Sequence, residues 1–183
     1  MAIATAEYEE DRDWDQYGRE QLVLFTDASR AKKHCHPENR GGYAVAWRRP
    51  GHRHLENCFR VRAIELTCIT NTMHGEILGI CEALCIAYEY ALAGRLFKGT
   101  VQVFTDSMET IKILSVLRNT EALERVVDDP AAKPIVEAII WLSHRLRGCR
   151  VHTDLHCIPG HGHNVYPHQL VDQTSRDIWT GEV

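Results

Sequence analysis

The sequence predicts an α/β domain built on a five-stranded mixed sheet, with three antiparallel strands followed by two parallel strands and with helices flanking the sheet. Two apolar runs, LVLFTDAS at 22–29 and VQVFTDS at 101–107, both contain Phe-Thr-Asp. Such runs are typical of strands buried on both faces of a sheet. After about residue 70, helical periodicity alternates with short apolar runs, which indicates parallel strands joined by crossover helices.

Three short segments predict the antiparallel half of the sheet. The first strand covers about residues 20–26, so that Asp27 follows its end. A polar loop leads to a second strand at 41–49, and Pro50-Gly51 then marks a hairpin turn into a third strand at 55–62. Sequential strands with links this short are expected to pair antiparallel.

Four helices and two further strands are predicted in the second half. Thr72 is a suitable N-cap for the longest helix, and Pro134 suits the first turn of a later one. Residues 119–133 have the character of a loop or a weak helical turn. The predicted helices cover 70–94, 107–117, 134–147 and 168–179, and the predicted strands cover 100–105 and 151–158.

The size and composition fit one globular domain. The chain has 183 residues, of which 44% are hydrophobic and 25% charged, so a sizeable core is expected. We divide it into an acidic N-terminal tail at 1–18 and a folded domain at 19–183. Seven scattered cysteines are typical of reduced thiols. Reduced thiols indicate an intracellular protein. No apolar run approaches the ~18 residues of a spanning helix, so we expect no membrane partner. We also expect a monomer.

The charge distribution is uneven. The chain as a whole has a net charge of −4, yet the segment Arg30–Arg62 holds nine Lys or Arg residues against two Glu, a balance of +7. A basic block of this kind can contact nucleic-acid phosphates. Lys32, Lys33 and Arg40 belong to it, together with Arg30 next to the first apolar run. On charge alone, a solvated outer face of a hairpin explains the block equally well.

Two aspartates in matching contexts indicate a metal site. Asp27 and Asp106 each follow a Phe-Thr pair, and two neighbouring strands would bring their carboxylates to one edge of the sheet. Like charges at close range repel unless a cation lies between them. Either aspartate alone would be read as a turn residue or an N-cap, but the pair favours a divalent metal ion.

Four motifs together resemble the ribonuclease H family, type 1. They are FTDAS, the Glu76 of TNTMHGE, FTDS, and the PGH and VD of the segment before and within the last helix. The resemblance covers about residues 20–179 and implies a ribonuclease H-like fold. It also implies a two-metal endonuclease that hydrolyses the RNA strand of RNA/DNA hybrids. The cofactor would be Mg²⁺ or Mn²⁺, held by Asp27, Glu76, Asp106 and Asp172 as the catalytic acids.

The resemblance also assigns residues outside the metal site. His161 corresponds to the family's loop histidine, with His163 close enough to compete for the role. Asn71 and Ser107 are expected to contact the substrate, as are Arg30, Lys32, Lys33 and Arg40. Three departures from the family pattern are visible. Asn71 lies five residues before Glu76, and the neutral pair His168-Gln169 stands where the family usually has Asn-Glu. Residues 119–133 are slightly acidic, whereas several bacterial members carry a basic helical protrusion there.

Two other hypotheses remain open from the sequence. One is a non-catalytic ribonuclease H-like domain that acts as a nucleic-acid-binding or protein-interaction module. The other is a zinc site, although its spacing matches no common zinc ribbon or finger. Its candidate ligands are His152, His156, Cys157, His161, His163 and His168.

Overall fold

The computed structural model describes residues 20–31, 39–48, 59–67, 69, 71–116, 129–159 and 165–181. Within them lie five strands and four helices. In chain order these are β1 (Gln21–Arg30), β2 (Gly41–Arg48), β3 (Phe59–Leu66), α1 (Thr72–Leu92), β4 (Thr100–Thr105), α2 (Met108–Val116), α3 (Lys133–Gly148), β5 (His152–Cys157) and α4 (Tyr166–Thr180). The predicted tail at 1–18, the Pro50-Gly51 turn, most of the 119–133 segment and the loop at 160–164 lie outside the described residues.

The five strands form one mixed sheet in the order β3-β2-β1-β4-β5. β1 pairs antiparallel with β2, and β2 pairs antiparallel with β3. β4 runs parallel to both β1 and β5. The predicted fold class, with three antiparallel strands followed by two parallel ones, is therefore confirmed.

The sheet separates two apolar cores. On one face, Leu22 and Leu24 of β1 belong to a cluster with Ile77 and Ile80 of α1. On the other face, Phe25 and Phe104 stack with ring centroids 5.2 Å apart and cluster with residues of α4, among them Val171. This alternation follows from the two-residue period of a strand, and it places α1 and α4 on opposite faces of the sheet.

Two strands extend beyond their predicted ends. β1 continues to Arg30 because its ladder with β2 runs on from Asp27↔Ala44 to Arg30↔Gly41, whereas the sequence placed its end at residue 26. Asp27 thus lies within β1, just past Phe25↔Phe104, the last parallel pair with β4. β3 similarly runs to Leu66, which pairs with Gly41, four residues past the predicted end. Strand pairing continues here after the apolar pattern has stopped.

The start of α1 also differs from the prediction. Asn71, rather than Thr72, is the N-cap, and its Oδ1 accepts a hydrogen bond from the backbone N–H of His74 at 2.8 Å. α4 begins at Tyr166, two residues before its predicted start, with Pro167 in its first turn, a position that proline favours. Among the described residues, no helix has the length and apolar character that a membrane crossing requires.

Two glycines let the helices approach the sheet closely. A Cβ at Gly79 of α1 would lie 2.1 Å from Oγ1 of Thr26 in β1. A Cβ at Gly42 of β2 would lie 2.9 Å from the backbone oxygen of Ser175 in α4. Any larger residue would push these elements apart, so the glycines fix the distance at which each helix presents its polar side chains to the sheet.

Candidate active site

The four acids singled out in the sequence line one cavity of about 370 Å³. Asp27 is contributed by β1 and Glu76 by α1, Asp106 directly follows β4, and Asp172 belongs to α4. Asp27 and Glu76 are both only 4% exposed, so their carboxyl groups have little access to water. The fold therefore brings four carboxyl groups from four separate elements to the edge of the sheet where β1 and β4 stop pairing.

The Glu76 carboxylate is held in place by two donors. Its Oε1 accepts the backbone N–H of Ala28 at 3.2 Å, and its Oε2 accepts the hydroxyl of Thr105 at 3.2 Å. Ala28 belongs to β1 and Thr105 ends β4. Both strands that carry the site thus position this side chain, and buried hydrogen bonds of this kind fix its orientation.

Burial and mutual repulsion raise the pKa values of two of the acids. For Asp27 the largest cause is burial, followed by the charges of Glu76, Asp106 and Asp172. For Glu76 burial and the charge of Asp106 raise the pKa, although its hydrogen bonds from Thr105 and Ala28 oppose the shift. The fully ionised cluster is therefore costly in the protein alone, and a bound cation would relieve that cost.

Asp172 carries its own counter-ion. Arg176, one helical turn further along α4, places Nη2 2.6 Å from Oδ1 of Asp172. The side chain of Arg176 is 44% exposed and that of Asp172 is 24% exposed, so this ion pair lies at the open side of the cavity. The i,i+4 spacing was visible in the sequence, but the pair was not predicted.

His168 is the site residue that the sequence analysis missed in this role. Asp27, Asp106 and His168 each offer one ligand atom, and these three atoms lie within 4.8 Å of one another. His168 is 8% exposed. The available signal was its position four residues before Asp172, which puts both side chains on one side of a helix.

These donors fit a divalent metal ion. Carboxylate oxygens are the ligands that Mg²⁺ and Mn²⁺ prefer, and an imidazole suits the transition metals. The four acids line one cavity, and the pKa values of Asp27 and Glu76 are raised there. A cation stabilises carboxyl groups in such a setting. Asp27, Asp106 and His168, whose ligand atoms lie together, could hold such an ion.

The predicted substrate-binding residues are distributed unevenly. Arg30 and Ser107 line the same cavity as the acids. Asn71 caps α1, and Arg40 forms an ion pair with Glu65 of β3. Lys32 and Lys33 lie outside the described residues, as do both loop histidines, His161 and His163.

The candidate zinc ligands on β5 do not come together as a metal site in the described residues. His156 of β5 stacks on Phe104 with ring centroids 4.8 Å apart, and His152 contacts Asp154 at 3.1 Å. Among the residues that the structure covers, the only metal-capable group of three is the one formed by Asp27, Asp106 and His168. His152, His156 and Cys157 are not part of it.

Comparisons with known proteins agree with this fold. No protein-family model matches the sequence, and no curated protein matches it. Among solved structures, the N-terminal RNase H domain of rv2228c from Mycobacterium tuberculosis is similar at 14% identity and a TM-score of 0.56, with 86% of this chain and 97% of that chain covered. LC9-RNase H1, a type 1 RNase H with the type 2 active-site motif, is similar at 16% identity and a TM-score of 0.54, with coverages of 90% and 74%.

A much longer viral protein is also similar. The foamy viral protease-reverse transcriptase, solved in complex with an RNA/DNA hybrid, matches at 14% identity and a TM-score of 0.61 over 85% of this chain. This chain spans only 19% of the length of that protein. At such identities the similarity concerns the fold. The mixed sheet, its flanking helices and these comparisons together show that the chain has the ribonuclease H-like fold.

Proposed function

We propose that this domain is a metal-dependent endonuclease that hydrolyses the RNA strand of RNA/DNA hybrids. The observation that carries the proposal is the convergence of Asp27, Glu76, Asp106 and Asp172 on one cavity. Two of these acids are almost fully buried, and burying like charges is costly unless they serve a cation. A non-catalytic domain with this fold would gain nothing from burying like charges together.

The roles of the residues follow from their positions. Asp27, Glu76, Asp106 and Asp172 would hold Mg²⁺ or Mn²⁺, and four carboxylates offer enough oxygen ligands for two ions. Such ions, when bound, supply an activated water and stabilise charge on the departing oxygen of a phosphodiester. The hydrogen bonds to Glu76 from β1 and β4 keep one ligand oriented before any ion arrives.

The choice of an RNA/DNA hybrid rests on the resemblance of the motifs and on the fold. The foamy viral protein that shares the fold was solved with such a hybrid. We assign substrate contacts to Arg30 and Ser107 at the cavity, and to Asn71 beside it. Lys32, Lys33 and Arg40 would contact phosphates, which position a duplex without reading its sequence. We assign proton transfer during turnover to His161, with His163 as the competing candidate.

The direct test is cleavage of labelled nucleic acids by the purified chain. RNA/DNA hybrid, double-stranded RNA, double-stranded DNA and single-stranded RNA are incubated with Mg²⁺ or Mn²⁺. We expect cuts in the RNA strand of the hybrid alone. Asp27→Asn should lower the rate by more than about 100-fold, because even outer partners of metal ligands are worth about 10–100-fold. Its thermal stability without metal should be equal or higher, because one repelling charge is removed.

Asp154→Asn is the matched control, since it makes the same chemical change on β5 at a side chain that is 43% exposed. It should cleave like the wild type. Hybrid binding without cleavage by the folded wild-type protein would favour the non-catalytic module instead. Full cleavage by a folded Asp27→Asn variant would overturn the assignment of the acids.

A further inference from the structure

We propose that His168 is a direct ligand of the ion held by Asp27 and Asp106, and that it shifts the preference of the site from Mg²⁺ toward Mn²⁺ and other transition metals. This inference rests on the proposed function in one respect, since it places an ion at the same carboxylates. It goes further by assigning a nitrogen ligand and a metal selectivity to this particular chain.

The proximity of the donor atoms is the first observation. One atom each from Asp27, Asp106 and His168 lies within 4.8 Å of the other two. Two ligands on opposite sides of an ion with bonds of about 2.1 Å are about 4.2 Å apart. Small side-chain adjustments would therefore suffice for all three residues to coordinate the same ion.

The position of His168 on α4 is the second observation. His168 is one of the buried residues in the first turn of this helix, and its backbone N–H donates to the carbonyl oxygen of Val165 at 3.1 Å. Asp172 follows one turn later on the same side, and Gly42 lets this helix lie close against β2. The imidazole is thus carried on a rigid element, as a metal ligand requires.

The chemistry of the donor set gives the selectivity. Mg²⁺ takes oxygen ligands almost exclusively and keeps several of its waters, whereas imidazole binds divalent transition metals well. A site of carboxylates alone discriminates little between Mg²⁺ and Mn²⁺ by ligand type. The addition of one buried imidazole favours Mn²⁺, because it replaces a water or an oxygen with a ligand that Mg²⁺ does not prefer.

Mn²⁺ itself is the probe for the test. Pulsed electron paramagnetic resonance of the wild-type protein with Mn²⁺ should show coupling to a directly bonded histidine nitrogen, which changes on ¹⁵N-histidine labelling. His168→Asn and His168→Gln should both lose that coupling. Each variant should bind Mn²⁺ at least about 10-fold more weakly, the lower end of the losses seen even for outer partners of metal ligands, while Mg²⁺ affinity changes by less than about 3-fold.

His144→Asn is the matched control, because His144 is an exposed histidine of α3 outside the metal-capable group. It should keep both the coupling and the Mn²⁺ affinity. Absence of nitrogen coupling in the wild type would overturn the inference, and so would coupling that persists in a folded His168 variant. If only one variant folds, that variant decides the question together with the wild type.

These readouts separate the inference from the proposed function. Wild-type protein that cleaves hybrid but shows no nitrogen coupling would keep the function and refute the role of His168. Wild-type protein that shows the coupling through His168 but cleaves no hybrid would keep the ligand assignment and refute the function.

Discussion

Asp27 shows how a single residue can be stabilised by its backbone and destabilised by its surroundings. The β1–β2 ladder fixes its backbone opposite Ala44, while its carboxyl is buried among Glu76, Asp106 and Asp172, all of which raise its pKa. The strand pairing therefore fixes where the Asp27 side chain lies, while burial and the neighbouring acids disfavour its charged form. That combination is common where residues are arranged for function rather than for stability.

The raised pKa values of Asp27 and Glu76 give a pH dependence of stability without metal. In the unfolded chain these groups titrate near pH 4, whereas the folded protein keeps their protons to higher pH. Above about pH 4 the native state therefore binds more protons than the unfolded state. The free energy of unfolding should accordingly fall as pH rises toward these raised values, by up to about 1.4 kcal/mol per pH unit for each group.

Urea unfolding in EDTA between pH 5 and pH 8 measures this dependence. Asp27→Asn should make it shallower, whereas Asp154→Asn should leave it unchanged. Saturating Mn²⁺ should stabilise the protein more at pH 8 than at pH 5, because its ligands must lose their protons. A stability that rises with pH in EDTA would contradict the assignment of these two carboxyls.

Asn71 caps α1, and the substrate contact that we propose for it would be a second, separable role. Its Oδ1 accepts the N–H of His74, and its Nδ2 is the group that would donate to a substrate. Asn71→Ala should cost about 1 kcal/mol of stability, the usual value of an N-cap. Asn71→Ser should restore most of that stability because serine also caps, but it should not restore hybrid affinity. Thermal melts and binding titrations distinguish the two effects, and wild-type hybrid binding by Asn71→Ser would leave Asn71 only its capping role.

At the scale of elements, the site depends on how closely α1 approaches β1. Gly79 lies one turn after Glu76, and a Cβ there would meet the buried Thr26 at 2.1 Å. Gly79→Ala should therefore destabilise the domain by about 1–3 kcal/mol, a usual cost of overpacking. It should also lower cleavage by displacing Glu76.

Gly148 provides the matched control on α3, because a Cβ there would meet no atom within 4 Å. Gly148→Ala should be neutral or slightly stabilising, since alanine has the higher helix propensity. Denaturant midpoints and cleavage rates of the two variants measure the difference. Equal stability of both variants would mean that α1 can move away from β1 without cost.

The elements also show what the sequence could predict and what it could not. The order of strands and helices followed from apolar periodicity and turn residues, and the structure confirms the mixed sheet. The extension of β1 to Arg30 could not be predicted, because it depends on pairing with β2 and not on local apolar character. The proximity of His168 to Asp27 could not be predicted for a similar reason. The helical spacing shows on which side of α4 His168 lies, but it does not give the distance from that side to β1.

At the scale of the whole molecule, the basic block at 30–62 is only partly available to a partner. Arg62 of β3 lies beside α1, where Nη1 is 2.5 Å from Oε1 of Glu82 and Nη2 is 3.3 Å from Oε2 of Glu89. Arg40 is paired with Glu65. The +7 balance of the sequence therefore overstates the charge that this region presents, and the arginines differ in how far they are neutralised.

This difference gives a prediction for hybrid binding. Replacing Lys32, Lys33 and Arg40 together by Ala should weaken binding and flatten its dependence on salt, because each lost phosphate contact lowers the slope of log K against log salt by about 0.9 for a duplex. We expect a decrease of about 2, since Glu65 already offsets part of the charge of Arg40. Titrations of labelled hybrid from 50 to 200 mM salt give the slope. Divalent metal is left out of these titrations so that the hybrid is not cleaved.

Arg62→Gln removes one positive charge from the same block and serves as the control. Because Glu82 and Glu89 already hold Arg62 against α1, this variant should keep both the affinity and the slope of the wild type. Its stability should fall by about 1 kcal/mol, because these ion pairs are partly exposed to solvent. If the triple variant keeps the wild-type slope, the block is a solvated face. If Arg62→Gln alone lowers the slope by about 0.9, the phosphates instead contact the α1 side of the sheet.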